Sequence, residues 1–425
     1  MTNSKQPEIP AWLSAGVAWL NPRRLQAQAI VLALCLWGVC AVDFATPGIF
    51  DRAGNIKFQD FLPFYVSAQL IAQGRASELY NEQITAAEMQ RIVGHSMAVR
   101  LPNLYGPQVG LFFVPFAWLP FQTAAWIWVA VCLALFFACV LLVWRCCPAL
   151  RSYSRLVAIA AIAFPPLFHF FVRGQISVLL LACFTAAFLA LRAQHDWLAG
   201  MALGLLIFKP QFLLAIPLVL LLSGAWRVFC GLVLSAAAQL VVIELYFGSV
   251  VMRSYLDMLW HTSRWIGAAE LGLAPIQMHS LRSFWTLLLH WPKAAFALYA
   301  VSSCCAIAIA ASIVKSARPL ALRFSALVLA AVLVNPHLFV YDLLVLVPVL
   351  LVLAEWTLNN TPDFASSPHR LLLYLAFIVP LAGPLSQWTH VQLSVPVYVA
   401  LLWTLWRQSH KNEVPNRSVS VPMLG

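Results

Sequence analysis

A carboxylate set among aromatic residues is the first candidate for chemistry in this chain. Asp60 lies in the segment FQDFLPFY, next to Phe61 and close to Phe64 and Tyr65. Aromatic neighbours displace water, and loss of water raises the pKa of a carboxyl group towards the range of a general base. The structural alternative is that Asp60 caps a helix that begins at the next residue, by accepting bonds from its first N–H groups.

Three ionisable side chains interrupt apolar sequence beside residues that bend the chain. Arg173 precedes a glycine, Lys209 precedes a proline, and His337 follows an Asn-Pro pair that begins at Asn335. An arginine or a lysine at such a break can bind a phosphate, and a histidine can donate to a phosphate oxygen. The alternatives are that the cations extend to lipid headgroups and that the histidine is a structural hydrogen-bond partner.

Two further polar residues lie close to these positions. Gln175 can bond a sugar hydroxyl or cap the helix that follows it. Asp342 lies inside an apolar run not far beyond His337. An acid within a membrane helix is a functional candidate by default, and we expect Asp342 to orient the turn that precedes it.

The composition identifies the class of protein in which these residues must act. Of the 425 residues, 62% are apolar and 10% are charged. Soluble domains have about 45–50% apolar and about 25% charged residues. This chain therefore has too few charged residues to cover the surface of a soluble enzyme. The formal net charge is +11, but the cations are scattered between apolar runs, which excludes a nucleic-acid stripe and favours cytoplasmic loops. The sequence predicts an all-α polytopic membrane protein.

Apolar runs of spanning length predict about twelve transmembrane helices, with both termini in the cytoplasm. The runs are 26–44, 122–144, 154–170, 175–192, 197–208, 211–223, 226–247, 293–314, 324–336, 338–354, 371–386 and 390–406. Residues 107–119 form a shorter apolar run that either spans or is re-entrant. Because a span there would place the following arginines outside, we predict a re-entrant or surface helix.

The predicted topology divides the chain into three parts and brings the polar candidates to one side. Residues 1–25 form a cytoplasmic segment, 26–406 the membrane domain and 407–425 a cytoplasmic tail. Within the membrane domain, 45–120 is an outer loop with short amphipathic helices at 61–73 and 81–93, and 248–292 is a second outer segment that contains Arg264. Asp60 and the breaks at Arg173, Lys209 and Asn335 then all face the outer side.

The order of several short motifs resembles a known family of membrane enzymes. The motifs are Asp60…Tyr65…Gly74…Leu79-Tyr80, Tyr105-Gly106-Pro107, Pro115…Leu119-Pro120, Gly174-Gln175 and Gly200…Gly204…Lys209-Pro210. Over residues 25–355 the chain is similar to the bacterial mannosyltransferase-like family that uses polyprenyl-phosphate-mannose. That family belongs to the C-type glycosyltransferase superfamily and was formerly a domain of unknown function.

The resemblance implies a C-type glycosyltransferase-like helical bundle and a function for several residues. An acid early in the first outer loop is the catalytic base in such enzymes, and Asp60 matches its position. The donor is a polyprenyl-phosphate-linked sugar, which we expect to be mannose or a related hexose or pentose. His337 is similar in place to a histidine near the donor phosphate.

The expected reaction is an inverting transfer of the sugar to a hydroxyl of a lipid or glycan acceptor. We expect Asp60 to take the acceptor proton while cations bind the donor phosphate. The predicted phosphate-binding residues are Lys209, His337, Arg173 and Arg264, and the predicted substrate-binding residues are Gln175, Tyr65, Tyr80, Tyr105 and Asn335. No metal or other cofactor is expected, since the clustered acids that a divalent ion needs are absent near Asp60. The expected location is the bacterial plasma membrane, with the site on the periplasmic side.

Two other classes of function remain open from the sequence. Helices broken at Lys209 and Asn335 also suit a transporter or a flippase for lipid-linked sugars, which would form no covalent product. A catalytically silent scaffold in an envelope-assembly complex is the third possibility. The absence of the GxxxxGK[ST], HExxH and GxSxG motifs excludes familiar soluble ATPase, zinc-protease and hydrolase sites.

Overall fold

The computed structural model describes residues 20–94, 101–264, 275–360 and 368–410, and they form a bundle of helices. The helices are α1 (Pro22–Phe44), α2 (Leu62–Ala72), α3 (Glu82–Val93), α4 (Pro107–Phe113), α5 (Phe121–Arg145), α6 (Ser154–Ile162), α7 (Pro165–Arg173), α8 (Ser177–Arg192), α9 (Asp196–Gly204), α10 (Ile216–Ser223), α11 (Trp226–Arg264), α12 (Leu281–Leu288), α13 (Pro292–Lys315), α14 (Leu320–Val334), α15 (Leu346–Asn360), α16 (Pro368–Ile378), α17 (Ser386–Thr389) and α18 (Ser394–His410). The β-structure among these residues is limited to two isolated bridges.

The polytopic helical architecture is confirmed. Seven helical stretches of the described chain are long and apolar enough to cross a membrane: Pro22–Phe44, Phe121–Arg145, Pro148–Arg173, Trp226–His261, Pro292–Lys315, Val340–Asn360 and His369–Thr389. The remaining predicted spans correspond to shorter helices, such as α8 and α14. The predicted terminal segments lie largely outside the described residues, as does part of the second outer segment.

The short helices surround the centre of the bundle, and their ends meet below the outer loop. Helix α14 is buried at every position from Phe324 to Val334. Its 15 residues rise about 22 Å, which is less than the hydrocarbon thickness of about 30 Å. It ends at Asn335-Pro336, inside the protein. Non-helical backbone at such depth is tolerated where it is enclosed by protein or lines a cavity.

The outer loop contains the two predicted helices. One of them is more deeply buried than expected for a helix that lies on the membrane surface. Helix α3 is capped by Asn81 and keeps an exposed polar face. Helix α2 is buried at eight of its eleven positions, since α4 packs against its other side. Helix α4 and the 3-10 turn Val114–Phe116 together are too short to cross a bilayer, consistent with the re-entrant or surface alternative.

Exposed tryptophans mark the membrane interface on the side of the outer loop. Trp118, Trp291 and Trp388 are each more than 70% exposed and stand at or near helix ends on this side. Tryptophan is enriched at membrane–water interfaces because its ring is apolar while its N–H needs a polar partner.

A stripe of glycines brings α9 and α11 into backbone contact. A Cβ atom added at Gly200 would lie 2.0 Å from the carbonyl oxygen of Val228 and 2.9 Å from the amide nitrogen of Leu232. Gly231, on the opposite helix, would meet the carbonyl of Trp197 at 2.4 Å. Both neighbours are backbone atoms, which cannot move aside as a side chain can. Close approach of small residues is how membrane helices gain packing energy.

We expect Gly200→Ala to lower the stability of the folded protein, because the added methyl group forces α9 and α11 apart. Overpacking of this kind costs about 1–3 kcal/mol. The matched control is Gly38→Ala in α1, where no atom lies within 4 Å of the added Cβ. Thermal unfolding of both variants in the same detergent measures the difference. Equal midpoints for the two variants would contradict the close contact.

Candidate active site

A cavity of about 640 Å³ lies under the outer loop, where the broken helices meet. Its lining combines residues from the outer loop, the end of α7, the Lys209–Pro210 break, the start of α12 and the residues before it, the turn after α14 and the segment that joins α16 to α17. The polar lining residues include Gln59, Asp60, Tyr105, His169, Arg173, Gln175, Lys209, Gln211, Gln277, His279, Arg282, His337, Tyr341, Asp342 and Gln387. The cavity therefore brings together many stretches of chain that are far apart in sequence.

Asp60 is held at the cavity wall by the aromatic residues on either side of it. It lies in the 3-10 turn Gln59–Phe61, which follows Phe58 in the left-handed conformation at φ 57°. Phe58 is buried, and its ring contacts Phe44, Trp126 and Phe171 edge-on at 4.8–5.9 Å between centroids. These contacts stabilise a backbone conformation that is uncommon for a bulky residue.

Asp60 faces side chains from the end of α7 and does not cap a helix. Neither the 3-10 turn nor α2 has a side-chain cap. One carboxylate oxygen accepts a hydrogen bond from Gln175 Nε2 at 3.0 Å, and the other lies 3.8 Å from Arg173 Nη1. The side chain of Asp60 is 13% exposed.

Gly174 makes this approach possible. It ends α7 in the left-handed conformation at φ 70°, and a Cβ there would lie 2.8 Å from Cβ of Phe58. Glycine is the residue that adopts this conformation without strain and leaves room for the neighbouring chain. The chain can then turn so that Gln175 reaches Asp60.

Gln175 is oriented by four hydrogen bonds. Its Oε1 accepts from the Tyr105 hydroxyl at 3.3 Å and from the Ile176 amide at 3.1 Å. Its Nε2 donates to Asp60 and, at 3.4 Å, to the Tyr341 hydroxyl. A carboxylate that accepts from a fixed amide keeps its orientation, so Gln175 acts on the direction of Asp60.

Burial raises the pKa of Asp60 above the ordinary value for an aspartate. Arg173 opposes this shift by attraction, and the hydrogen bond from Gln175 opposes it further. A carboxyl group with a raised pKa is a stronger base once ionised. The arrangement therefore suits proton removal from a weakly acidic group.

Lys209 forms a buried ion pair rather than a free cation in the cavity. Its ammonium lies 2.5 Å from Asp342 Oδ1 and donates to Ser177 Oγ at 3.2 Å. The side chains of Lys209 and Asp342 are 3% and 1% exposed. The rings of Tyr105 and Tyr341 lie 5.7 and 5.5 Å from the ammonium, within cation–π range. These contacts connect α8 with the breaks after α9 and α14.

His337 lies beside an arginine that comes from a distant segment. Arg282 Nη1 lies 3.3 Å from His337 Nε2. Because arginine can only donate, Nε2 accepts and the proton of the neutral imidazole is assigned to Nδ1. Burial, together with repulsion from Arg282, lowers the pKa of His337 to about 4, so the ring is neutral at pH 7.

A short bridge brings Arg282 to this position. Met278 and Phe339 pair as an isolated antiparallel bridge, and the His279 amide donates to the Leu338 carbonyl at 2.8 Å. Arg282 follows in the first turn of α12. In the turn after α14, Asn335 Oδ1 accepts a hydrogen bond from the His337 amide at 2.9 Å. His337 Nδ1 and Asn335 Nδ2 are buried donors for which the described residues supply no partner.

The formal charges of the lining leave an excess of one positive charge. Arg173, Lys209 and Arg282 are the cations, and Asp60 and Asp342 are the carboxylates. Within the described residues no group of three His, Cys, Asp or Glu side chains is placed to hold a metal ion. An anionic group such as a phosphate is the ligand that this balance of charge favours.

The structure places the other predicted residues differently. Tyr65 and Tyr80 do not line the cavity: the Tyr65 hydroxyl donates to the Leu119 carbonyl at 2.6 Å, and the Tyr80 hydroxyl to the Tyr105 carbonyl at 2.9 Å. Tyr80 thereby supports Tyr105, which does line the cavity. Asn335 is fully buried behind His337. Arg264 ends α11, and its side chain lies outside the described residues.

Sequence reasoning missed several polar residues of the cavity. Arg282, His279 and Tyr341 line it, and none was singled out for a role. His279 is buried and bonds Ser394 Oγ through Nδ1 at 2.9 Å. Arg282 lies in a segment with several other cations and aromatic residues, so its type alone did not distinguish it. The nearby bridge to Phe339 is a tertiary contact without a local signal.

Comparison with known families identifies a family of membrane enzymes. The sequence matches Glycosyltransferase family 87 over residues 103–336, a little more than half of the chain. The chain belongs to glycosyltransferase family 87. The match confirms the family expected from the resemblance; it includes Gln175, Lys209 and Arg282, ends one residue before His337 and does not extend to Asp60. No curated protein and no solved structure matches the chain.

We expect Lys209→Met to destabilise this glycosyltransferase, because it leaves the Asp342 carboxylate buried without its cation. Breaking a buried pair by removing one partner costs about 3–5 kcal/mol. The double variant Lys209→Met/Asp342→Asn removes both charges and should recover part of this loss. Thermal unfolding of the single and double variants measures the coupling. Additive losses would show that the pair does not stabilise the fold.

Proposed function

We propose that this membrane glycosyltransferase moves a sugar from a polyprenyl-phosphate donor to a hydroxyl of a lipid or glycan acceptor, with Asp60 as the general base. The observation that carries the proposal is the shared cavity: the partly desolvated Asp60 carboxylate and the Arg282–His337 pair line the same space. Mannose, or a related hexose or pentose, is the sugar we propose, which makes the enzyme a hexosyltransferase in the first case.

The acceptor is activated by transfer of its hydroxyl proton to Asp60. The acceptor oxygen then forms a bond to the anomeric carbon of the donor sugar. Arg173 and Gln175 hold the carboxylate, so its free lone pair can face the cavity rather than rotate. A positioned base of this kind contributes about 10²–10⁴-fold to the rate.

The bond between the anomeric carbon and the phosphate oxygen breaks at the same time, and its electron pair leaves with polyprenyl phosphate. Attack from the face opposite the phosphate inverts the anomeric configuration. Arg282 is the cation best placed to bind the phosphate, with His337 Nδ1–H as a neutral donor nearby. Donors fixed before the reaction stabilise the developing charge without reorganisation.

Lys209 acts on the site through Asp342 in this proposal. Its ammonium already bonds a carboxylate and a hydroxyl. It therefore contributes positive potential and rigidity, while direct contact with the phosphate falls to Arg282. Arg173, which is 42% exposed, is the second cation within reach of the substrate.

We place the enzyme in the bacterial plasma membrane with the cavity on the periplasmic side, in the synthesis of a cell-envelope glycan. The support is the distribution of cations: Arg145, Arg151 and Arg155 follow the far end of α5, away from the cavity. Loops rich in arginine and lysine stay in the cytoplasm. No metal or other cofactor is part of the proposal.

We expect Asp60→Asn to lower the transfer rate by about 10²–10⁴-fold while donor binding persists, since the amide keeps the shape but cannot accept the proton. The protein is assayed in nanodiscs with radiolabelled polyprenyl-phosphate-mannose and a membrane-lipid acceptor fraction, and products are separated by chromatography. The control is Asp257→Asn, which removes an exposed carboxylate of α11 that does not line the cavity.

Retention of full activity by folded Asp60→Asn would reject Asp60 as the base. Accumulation of label inside proteoliposomes without any glycosylated product would instead support the transporter or flippase alternative and reject the enzyme proposal.

We expect kcat/KM to fall as the pH drops through the raised pKa of Asp60, because only the ionised carboxylate accepts a proton. Arg173 opposes that raised pKa, so Arg173→Gln should move the acid limb of the profile to higher pH. The matched control is Arg253→Gln, an exposed cation of α11 that does not line the cavity. An acid limb that stays in place, or moves to lower pH, in Arg173→Gln would contradict the assignment.

A further inference from the structure

A second recess of about 650 Å³ lies on the other half of the bundle, and nothing in the proposed reaction uses it. We name it the lower groove. It is walled by the first half of α1, by α6 and by α15 and α16, with nearly all of its surface apolar. Along α15 it extends from Val347 to Leu358, which is about 16 Å at the helical rise per residue. This length suits part of a lipid chain.

The lower groove is separate from the catalytic cavity. The two share no lining residue. Phe164 and Phe377 line the upper end of the lower groove, and their rings lie 5.6 Å apart. This contact joins the start of α7 to the end of α16, between the two recesses. A ligand of the lower groove therefore does not need to be the tail of a molecule that occupies the cavity.

Positive charge is concentrated at the end of the lower groove farthest from the cavity. Arg370 lines it and is 7% exposed. Arg23 and Arg24 follow the lining residue Pro22, and two further exposed arginines flank Tyr153 at positions 151 and 155.

The acidic residue closest to this end among the described residues is already bonded. Glu355 accepts hydrogen bonds from the amides of Ala149 and Leu150, both at 3.1 Å. Its charge is thus directed at the first turn of a 3-10 helix. The end of the lower groove presents cations around an apolar recess, which is complementary to an anionic headgroup attached to an acyl chain.

One polar group that lines the lower groove has an unused hydrogen-bond acceptor. Gln28 lines it, and its Oε1 is a buried acceptor for which the described residues supply no donor. A buried amide oxygen without a partner costs free energy. A headgroup hydroxyl would supply that donor.

We propose that the lower groove binds one anionic phospholipid, with an acyl chain along α6 and α15 and the phosphate at Arg370. The bound lipid fills the space between α1 and the bundle. In the upper half of α1, Trp37 Nε1 donates to the Ile162 carbonyl at 2.9 Å and the Trp37 ring packs on Phe171. The lipid would hold the lower half of α1, the helix that precedes the loop carrying Asp60.

The test measures lipid binding to delipidated full-length protein by native mass spectrometry. Dioleoyl phosphatidylglycerol and dioleoyl phosphatidylcholine are the probes. The wild type should retain one phosphatidylglycerol at concentrations at which phosphatidylcholine is washed off. Arg370→Gln should weaken phosphatidylglycerol binding about tenfold, the loss expected for one charge-assisted hydrogen bond, and Arg370→Lys should keep most of the preference.

Two further variants separate the roles of charge and space. Ala354→Phe fills the lower groove and should abolish retention of the lipid. Arg227→Gln, an exposed cation of α11 that does not line the lower groove, should bind phosphatidylglycerol as the wild type does.

Equal retention of the two lipids, or unchanged binding by Arg370→Gln, would overturn the proposal. Polyprenyl phosphate added to the lipid-bound wild type should give a complex that carries both molecules. Displacement of phosphatidylglycerol by polyprenyl phosphate would overturn the proposal and assign the lower groove to the donor tail. Neither result bears on Asp60, since the transfer assay measures that residue separately.

Discussion

The buried ion pair between Lys209 and Asp342 is the interaction on which the site depends. A charge at this depth is tolerated only when it is paired and its remaining bonds are made, because desolvation of each ion costs several kcal/mol. Here the Lys209 ammonium and the Ser177 hydroxyl both donate hydrogen bonds to the Asp342 carboxylate, and the ammonium lies between two tyrosine rings. Three separate helix breaks are thereby joined at one point. The cavity is the space that these breaks leave under the outer loop.

The Asp60 carboxylate is positioned by packing, whereas Arg282 and His337 at the other end of the cavity are positioned by polar contacts. Phe58 and its aromatic neighbours determine the place of Asp60, and Gln175 determines its direction. At the other end, a bridge between two loop segments places Arg282 against His337. In the proposed reaction this separates the base from the leaving group, as an inverting attack requires. The same bundle leaves an independent apolar recess on the opposite half, so the proposed substrate and lipid contacts occupy different surfaces.

Much of the architecture followed from composition and run length. The apolar runs located the long helices because a helix must bury its backbone polar groups internally to cross a bilayer. Helix α1 begins at Pro22, four residues before the predicted apolar run, and is capped by Asn21. The hydropathy pattern did not reveal this start because both residues are polar or neutral in hydropathy. Helix α2 was placed on the membrane surface by its pattern, but α4 covers its other side. Local pattern could not show that partner.

The sequence by itself determined that this is a polytopic membrane protein, and it predicted a partly desolvated carboxylate at Asp60 and polar breaks at Arg173, Lys209 and Asn335 on one side. Each of these follows from residue type and distance along the chain. Only the tertiary structure decided which charges neutralise one another. Lys209 was expected at a phosphate, yet it pairs with Asp342, more than a hundred residues away, while Arg282 takes the place beside His337. Pairing in a low-dielectric interior depends on distances of a few ångströms, and such distances between remote segments are not encoded in local sequence.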